Sequence, residues 1–262
     1  MSKEFNIENI IIFLKVLAKN ITTISSLNLV IYSDFEPRLF HSLYHVIISI
    51  IKSQEQLKRF GLDVEDDPTE LYGIISALEC QKNSLQEVII KECDYNKEFE
   101  VLKDCKNLET LRILNCSSKL LNLLDCKIST LEIVDCPIDV QTIPLILEKS
   151  GLLLQRLRFN SSDDIDEEFS IQLLELISSL QKLQFLTLWC FVDDDIQEVE
   201  LKVHVIQFAK ILPLTLQYLD LGDTWEPYID IVLNLDVNFR KEVETHVVNV
   251  ALVPSARIVV NF

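Results

Sequence analysis

Glycine occurs only four times in 262 residues, at Gly61, Gly73, Gly151 and Gly222. That is too sparse for the glycine-rich loop whose backbone amides cradle phosphates. Positive charge is also scarce, with 24 lysines and arginines against 41 aspartates and glutamates and a formal net charge of −17. Binding to a phosphate backbone needs a basic surface, so nucleic acid is not an expected partner. Long apolar runs are missing although 48% of the residues are hydrophobic. The longest, residues 10–14 and, broken only by Ser49, 46–51, fall far short of the roughly 20 residues of a membrane span, and no membrane association is expected.

The N-terminal stretch carries Glu4 and Glu8 and has no cleavable signal pattern. Seven cysteines, an odd number with no Cys-x-x-Cys, suit a reducing compartment, which places the chain in the cytoplasm or the nucleus. Asn-x-Ser/Thr sequons occur at Asn20, Asn115 and Asn160. They read as chance, because Asn115 immediately precedes a cysteine expected to be buried.

Histidine is equally sparse, with His41, His45, His204 and His246. His41 and His45 have the spacing that can bind zinc from one helix face, but the glutamate of a zincin motif is missing, so they read as surface residues. Acidic runs at Asp163, Asp164, Asp166, Glu167 and Glu168, and at Asp193, Asp194, Asp195, Glu198 and Glu200, suit helix N-termini, where carboxylates oppose the positive end of the dipole. No EF-hand loop accompanies them. No catalytic residue, metal or cofactor is expected, and no enzyme activity.

What the chain does contain is one pattern, apolar-x-x-apolar-x-apolar, in eight copies. They lie at Ile24/Leu27/Leu29, Leu57/Phe60/Leu62, Leu85/Val88/Ile90, Leu108/Leu111/Ile113, Ile128/Leu131/Ile133, Leu154/Leu157/Phe159, Leu183/Leu186/Leu188 and Leu216/Leu219/Leu221. Successive copies start 33, 28, 23, 20, 26, 29 and 33 residues apart, around and slightly above a leucine-rich-repeat period. The last two apolar residues of each copy share one face of a short strand. Helical spacing follows, as in Ile143, Leu145, Ile146 and Leu147, or Phe169, Leu173, Leu174, Leu176 and Ile177. A strand and a helix joined in this way each leave an apolar side open, which only the next repeat can cover. Strands stack at about 4.8 Å and helices at about 10 Å, so the array should curve with its strands inside.

The expected fold is therefore α/β: a leucine-rich repeat solenoid, a curved horseshoe with parallel strands on the concave face and helices on the convex face. One domain spans residues 1–262. Residues 1–23 form a capping helix whose apolar set is Ile10, Ile11, Phe13, Leu14 and Leu17, and residues 24–224 form eight repeats. Residues 225–262 supply a last convex helical segment and a closing edge strand near Arg257.

Eight positions after the first apolar residue stand Cys93, Cys116 and Cys136, and Cys105 precedes Leu108 by three. Here the sequence resembles the cysteine-containing leucine-rich repeats of F-box proteins, the substrate receptors of cullin-type ubiquitin ligases, over roughly residues 20–225. The resemblance implies a protein-binding array linked to ubiquitin-dependent degradation. The alternative is a non-degradative scaffold or an inhibitor-type binding protein, as in ribonuclease-inhibitor-like arrays. F-box receptors place a helical adaptor-docking segment with a Leu-Pro motif ahead of their repeats. Residues 1–23 leave no room for it, so the cullin-ligase adaptor stays an open partner.

Residues two, four and six places after the first apolar position should point into the hollow and align in columns. In one column Arg112, Glu132 and Arg158 follow one another and suggest a surface ion ladder, worth about 0 to 1 kcal/mol per pair. Nearer the C-terminus Arg156, Arg158, Phe185, Trp189 and Tyr218 would share one patch. Arg, Trp and Tyr dominate binding hot spots, so these five are the candidate partner-binding residues, suited to a protein or peptide with acidic and apolar groups. The competing reading has Phe185 and Tyr218 simply packing as a cross-strand pair.

Overall fold

Alternation of apolar and polar residues puts the two inner apolar residues of each copy on one side of a strand, and in the computed structural model both inner residues of the first seven copies lie within strands. It describes residues 7–31, 37–64, 73–123, 128–138, 142–164, 167–191, 212–220, 250–253 and 257–260. The chain packs as two units, Met1–Leu123 and Leu124–Phe262.

In the first unit α1 (Ile7–Asn20), β1 (Ser26–Ile31), α2 (Pro37–Ser53), β2 (Arg59–Val64), β3 (Glu87–Lys91) and β4 (Thr110–Leu114) follow in order. The four strands are parallel neighbours in register, with Leu27, Phe60, Val88 and Leu111 in one row and Leu29, Leu62, Ile90 and Ile113 in the next. The rows from β2 onward are buried. Each such side chain contributes about 1.5–3 kcal/mol of transfer free energy.

The return segments depart from simple helices. Ser76–Gln81, Lys97–Asp104 and Ser118–Leu123 are 3₁₀ turns, whereas α2 has 17 residues. In the two repeats that start 23 and 20 residues before the next the return is short, and a 3₁₀ turn covers more distance per residue, about 2.0 Å against 1.5 Å; Ser76–Gln81 is 3₁₀ although its repeat has 28 residues.

Helix α1 falls within residues 1–23, but Phe13 is not on its packed face. Ile11 packs with Val46 and Ile50, joined by Leu14, Leu17, Ala18, Ile24 and Leu43, while Phe13 is 63% exposed beside Ile12 and Val16. Helix α1 carries apolar residues on more than one face, and α2 covers only one of them.

Two buried glutamines, which sequence reading passed over, tie successive repeats together. Gln54 Oε1 accepts from the Ile24 amide at 2.8 Å while its Nε2 donates to Ile21 and Ile50 carbonyls. One repeat later Gln81 Oε1 accepts from the Leu57 amide at 3.1 Å, and its Nε2 donates to the Ile51 and Gln54 carbonyls at 3.0 and 2.8 Å. Each amide satisfies backbone groups that the turn between helix and strand would leave buried and unpaired.

The cysteines do related work. Glu92, Asn115 and Asp135 have positive φ of 52°, 50° and 49°, turning the chain sharply off the sheet. The buried thiols of Cys93, Cys116 and Cys136 then donate to the carbonyls of Lys91, Leu114 and Val134 at 3.1, 3.1 and 3.3 Å. Cys105 Sγ donates to the Val101 carbonyl at 3.7 Å. Burial, with the neighbouring Asp104 carboxylate second, pushes its pKa up to about 11. Cys80 is exposed.

The second unit contains β5 (Thr130–Val134), α3 (Thr142–Ser150), β6 (Arg156–Asp164), α4 (Glu167–Ser179), β7 (Phe185–Phe191), β8 (Tyr218–Asp220), β9 (Val250–Val253) and β10 (Arg257–Val260). Strands β5 to β8 are parallel, with Leu131, Leu157, Leu186 and Leu219 aligned and buried. The closing edge differs from expectation. Arg257–Val260 pairs antiparallel with β8, and β9 pairs antiparallel beyond it as the edge strand. The expected helical segment at residues 225–247 and the acidic run at 193–200 lie outside the described residues. The chain is thus a mixed α/β protein in which parallel strands alternate with helices or helical turns.

Candidate functional site

On β6, β7 and β8 the residues between the buried leucines stand on the opposite face of the sheet. Backbone register sets Arg156, Phe185 and Tyr218 in one row and Arg158, Thr187 and Asp220 in the next, with Asn160 and Trp189 beyond. Glu132 of β5 lies across from Arg158. All five sequence-predicted residues, Arg156, Arg158, Phe185, Trp189 and Tyr218, line one cavity of about 450 Å³, together with Glu132, Thr187 and Asp220. None is turned into the core. Arg156 is exposed and the other four are half-buried.

Contacts among these side chains form a nearly closed rim. The Arg156 guanidinium carbon lies 4.2 Å from the Phe185 ring centre, and the Phe185 and Tyr218 rings are 6.4 Å apart and tilted by 39°. The Tyr218 hydroxyl donates to one Asp220 oxygen at 3.2 Å, and Trp189 Nε1 donates to the other at 3.2 Å. The Trp189 ring in turn has the Arg158 guanidinium carbon 5.4 Å from its centre, and Arg158 is two residues from Arg156 on one strand. Thr187 is the small residue in the middle, directly between Arg158 and Asp220. It leaves the space that the larger neighbours enclose.

Asp220 was not among the predicted site residues, yet it organises the far wall. It is only 7% exposed, and it fixes the Trp189 and Tyr218 rings through their polar ends. Its sequence signal was its register position between two aromatic columns. The expected pairing of Phe185 with Tyr218 is present, and it forms part of the rim rather than replacing it.

Glu87 bridges Arg59 and Arg112, at 3.1 Å to each, and Lys91 pairs with Asp63 at 3.2 Å. Among the described residues Arg156 and Arg158 form no ion pair, and Arg158 Nε, though buried, makes no hydrogen bond. Register puts Arg112 beside Ile89, so its guanidinium reaches diagonally to Glu87. The Arg158 guanidinium lies over the Trp189 ring, where a cation on an aromatic face gains about 0.5–2 kcal/mol.

His41 and His45 are both exposed on α2; His204 and His246 lie outside the described residues. Among the described residues no cluster of three metal-ligating side chains occurs, and no helix is long and apolar enough to cross a membrane. The sequence matches no family model and no curated protein.

Proposed function

We propose that this chain is a leucine-rich-repeat binding module, a horseshoe whose concave face takes a protein or peptide through the Arg156, Arg158, Phe185, Trp189 and Tyr218 cup. The observation that carries this reading is the rim itself. Two guanidiniums and three aromatic rings are held in fixed orientations around an open space, on a sheet face that a core would otherwise leave polar. Such residues combine buried area with donors and supply most of the energy of protein interfaces. Their prior ordering lowers the entropy lost on binding.

The repeat pattern and the buried cysteines at repeat-locked positions support an F-box/LRR-like substrate-recognition array, linked to ubiquitin-dependent degradation and working in the cytoplasm or nucleus. The reading assigns no reaction to the chain. Affinity purification of the whole chain beside a folded Arg158→Ala, Trp189→Ala, Tyr218→Ala variant tests it. A partner lost only in the variant is the expected result, and co-recovery of a cullin and its adaptor supports the degradative role. A patch-dependent partner without ligase components makes the chain a plain scaffold or inhibitor. Identical recovery from both proteins overturns the binding site.

A further inference from the structure

Among the described residues the two arginines of the cup form no ion pair. In the first unit Arg59 and Arg112 share Glu87 and Lys91 has Asp63. Arg156 and Arg158 have instead been laid against Phe185 and Trp189, contacts that orient a guanidinium while leaving donors on its edge free for a planar acceptor. They sit two apart on β6 and project on one face, so their strand positions are roughly 7 Å apart at about 3.3 Å per residue. An extended peptide presents its own residues i and i+2 at the same spacing.

Taking the binding reading as given, we infer that the cup recognises an extended peptide segment with carboxylates at positions i and i+2, running along β6 with one acid on each arginine. The other charges in the lining set the direction. Asp220 has one oxygen taken by Trp189 and the other by Tyr218, and Glu132 stands on the β5 side of Arg158. Both carboxylates repel an incoming acid, which leaves the arginine edges as the place where it is stabilised. The residue between the two acids points away from the sheet and carries little specificity. Thr187 keeps the centre of the cup empty for the side chains that enter.

The test is fluorescence anisotropy of short labelled peptides against the full chain. A Glu-Thr-Glu core should bind about tenfold or more tightly than Gln-Thr-Gln, since close charge pairs of this kind couple strongly, and more tightly than Glu-Glu-Thr. Binding should weaken as salt is raised. Arg156→Ala and Arg158→Ala should each lose most of the preference for glutamate, and Thr187→Trp, which fills the cup without removing a rim contact, should abolish binding. Equal affinity for the Glu and Gln cores, indifference to spacing, or no binding at all overturns the inference. So does tighter binding of a single-phosphoserine peptide, or equal competition by free glutarate, because either replaces the paired acids with another ligand. If partner recovery depends on the patch while the paired-acid peptide fails, this inference falls and the binding reading stands. If recovery is also independent of the patch, both fall.

Discussion

Single side chains in this molecule act mainly by satisfying backbone groups between repeats, and Gln81 is the strongest case. At 1% exposure it accepts from one amide and donates to two carbonyls of the preceding repeat. Gln81→Leu should destabilise the chain by about 1–3 kcal/mol, the cost of stranding buried polar groups, measured as a lower urea midpoint at unchanged slope. The cysteines give a second residue-scale expectation. Maleimide at neutral pH should label Cys80 and spare Cys93, Cys105, Cys116 and Cys136 until the chain is unfolded, read by mass spectrometry. For Cys105 the folded pKa of about 11 lies above the ordinary 9.0, so the folded state holds its proton longer. Its contribution to stability is complete below about pH 9 and is lost as pH rises through about 11. The thiol positions were legible in the sequence because they recur. Gln54 and Gln81 were not, because a buried amide reads as a surface residue until the carbonyls it serves are placed in space.

At the scale of elements, strands could be read and return segments only in part. Leu157 and Phe159, or Leu186 and Leu188, announce a strand face by their period of two. Their neighbours Arg156, Arg158, Phe185, Trp189 and Tyr218 could therefore be assigned to the other face. The diagonal contacts among those neighbours could not, since they depend on rotamers and on how far each side chain reaches; hence Asp220 and Thr187 went unnoticed. Helix type escaped for a different reason, because apolar spacing is similar for one turn of α- or 3₁₀-helix, and repeat length does not separate them: Ser76–Gln81 is 3₁₀ in a repeat of 28 residues and Thr142–Ser150 is α-helical in one of 26. Helix α1 supplies the test at this scale. Ile11→Ala should cost about 2–4 kcal/mol, in the range of buried aliphatic truncations, whereas Phe13→Ser should leave the thermal midpoint nearly unchanged because its ring already faces water. Comparable losses from both would mean that α1 packs in another orientation. The Glu87 bridge belongs here too. Glu87→Gln should cost about 1 kcal/mol or less and less still at high salt, since one partner, Arg59, has a side chain 70% exposed.

For the whole molecule the governing quantity is the excess of acid. A net charge of −17 works against compaction through self-repulsion, so the thermal midpoint should rise as sodium chloride is taken from low to physiological concentration. A midpoint that falls would show that specific ion pairs outweigh the general repulsion. That excess also works against the long-range approach of a negatively charged segment, so Arg156 and Arg158 must attract it at close range. The sheet of the second unit ends on a reversal, with β10 running against β8 and β9 running against β10, so that the edge strand β9 points the same way as β8. Parallel and antiparallel neighbours differ in hydrogen-bond pattern, so this edge strand is held by antiparallel pairs alone, with bonds perpendicular to the strands, while β5 to β8 are joined by the evenly spaced, slanted bonds of parallel neighbours.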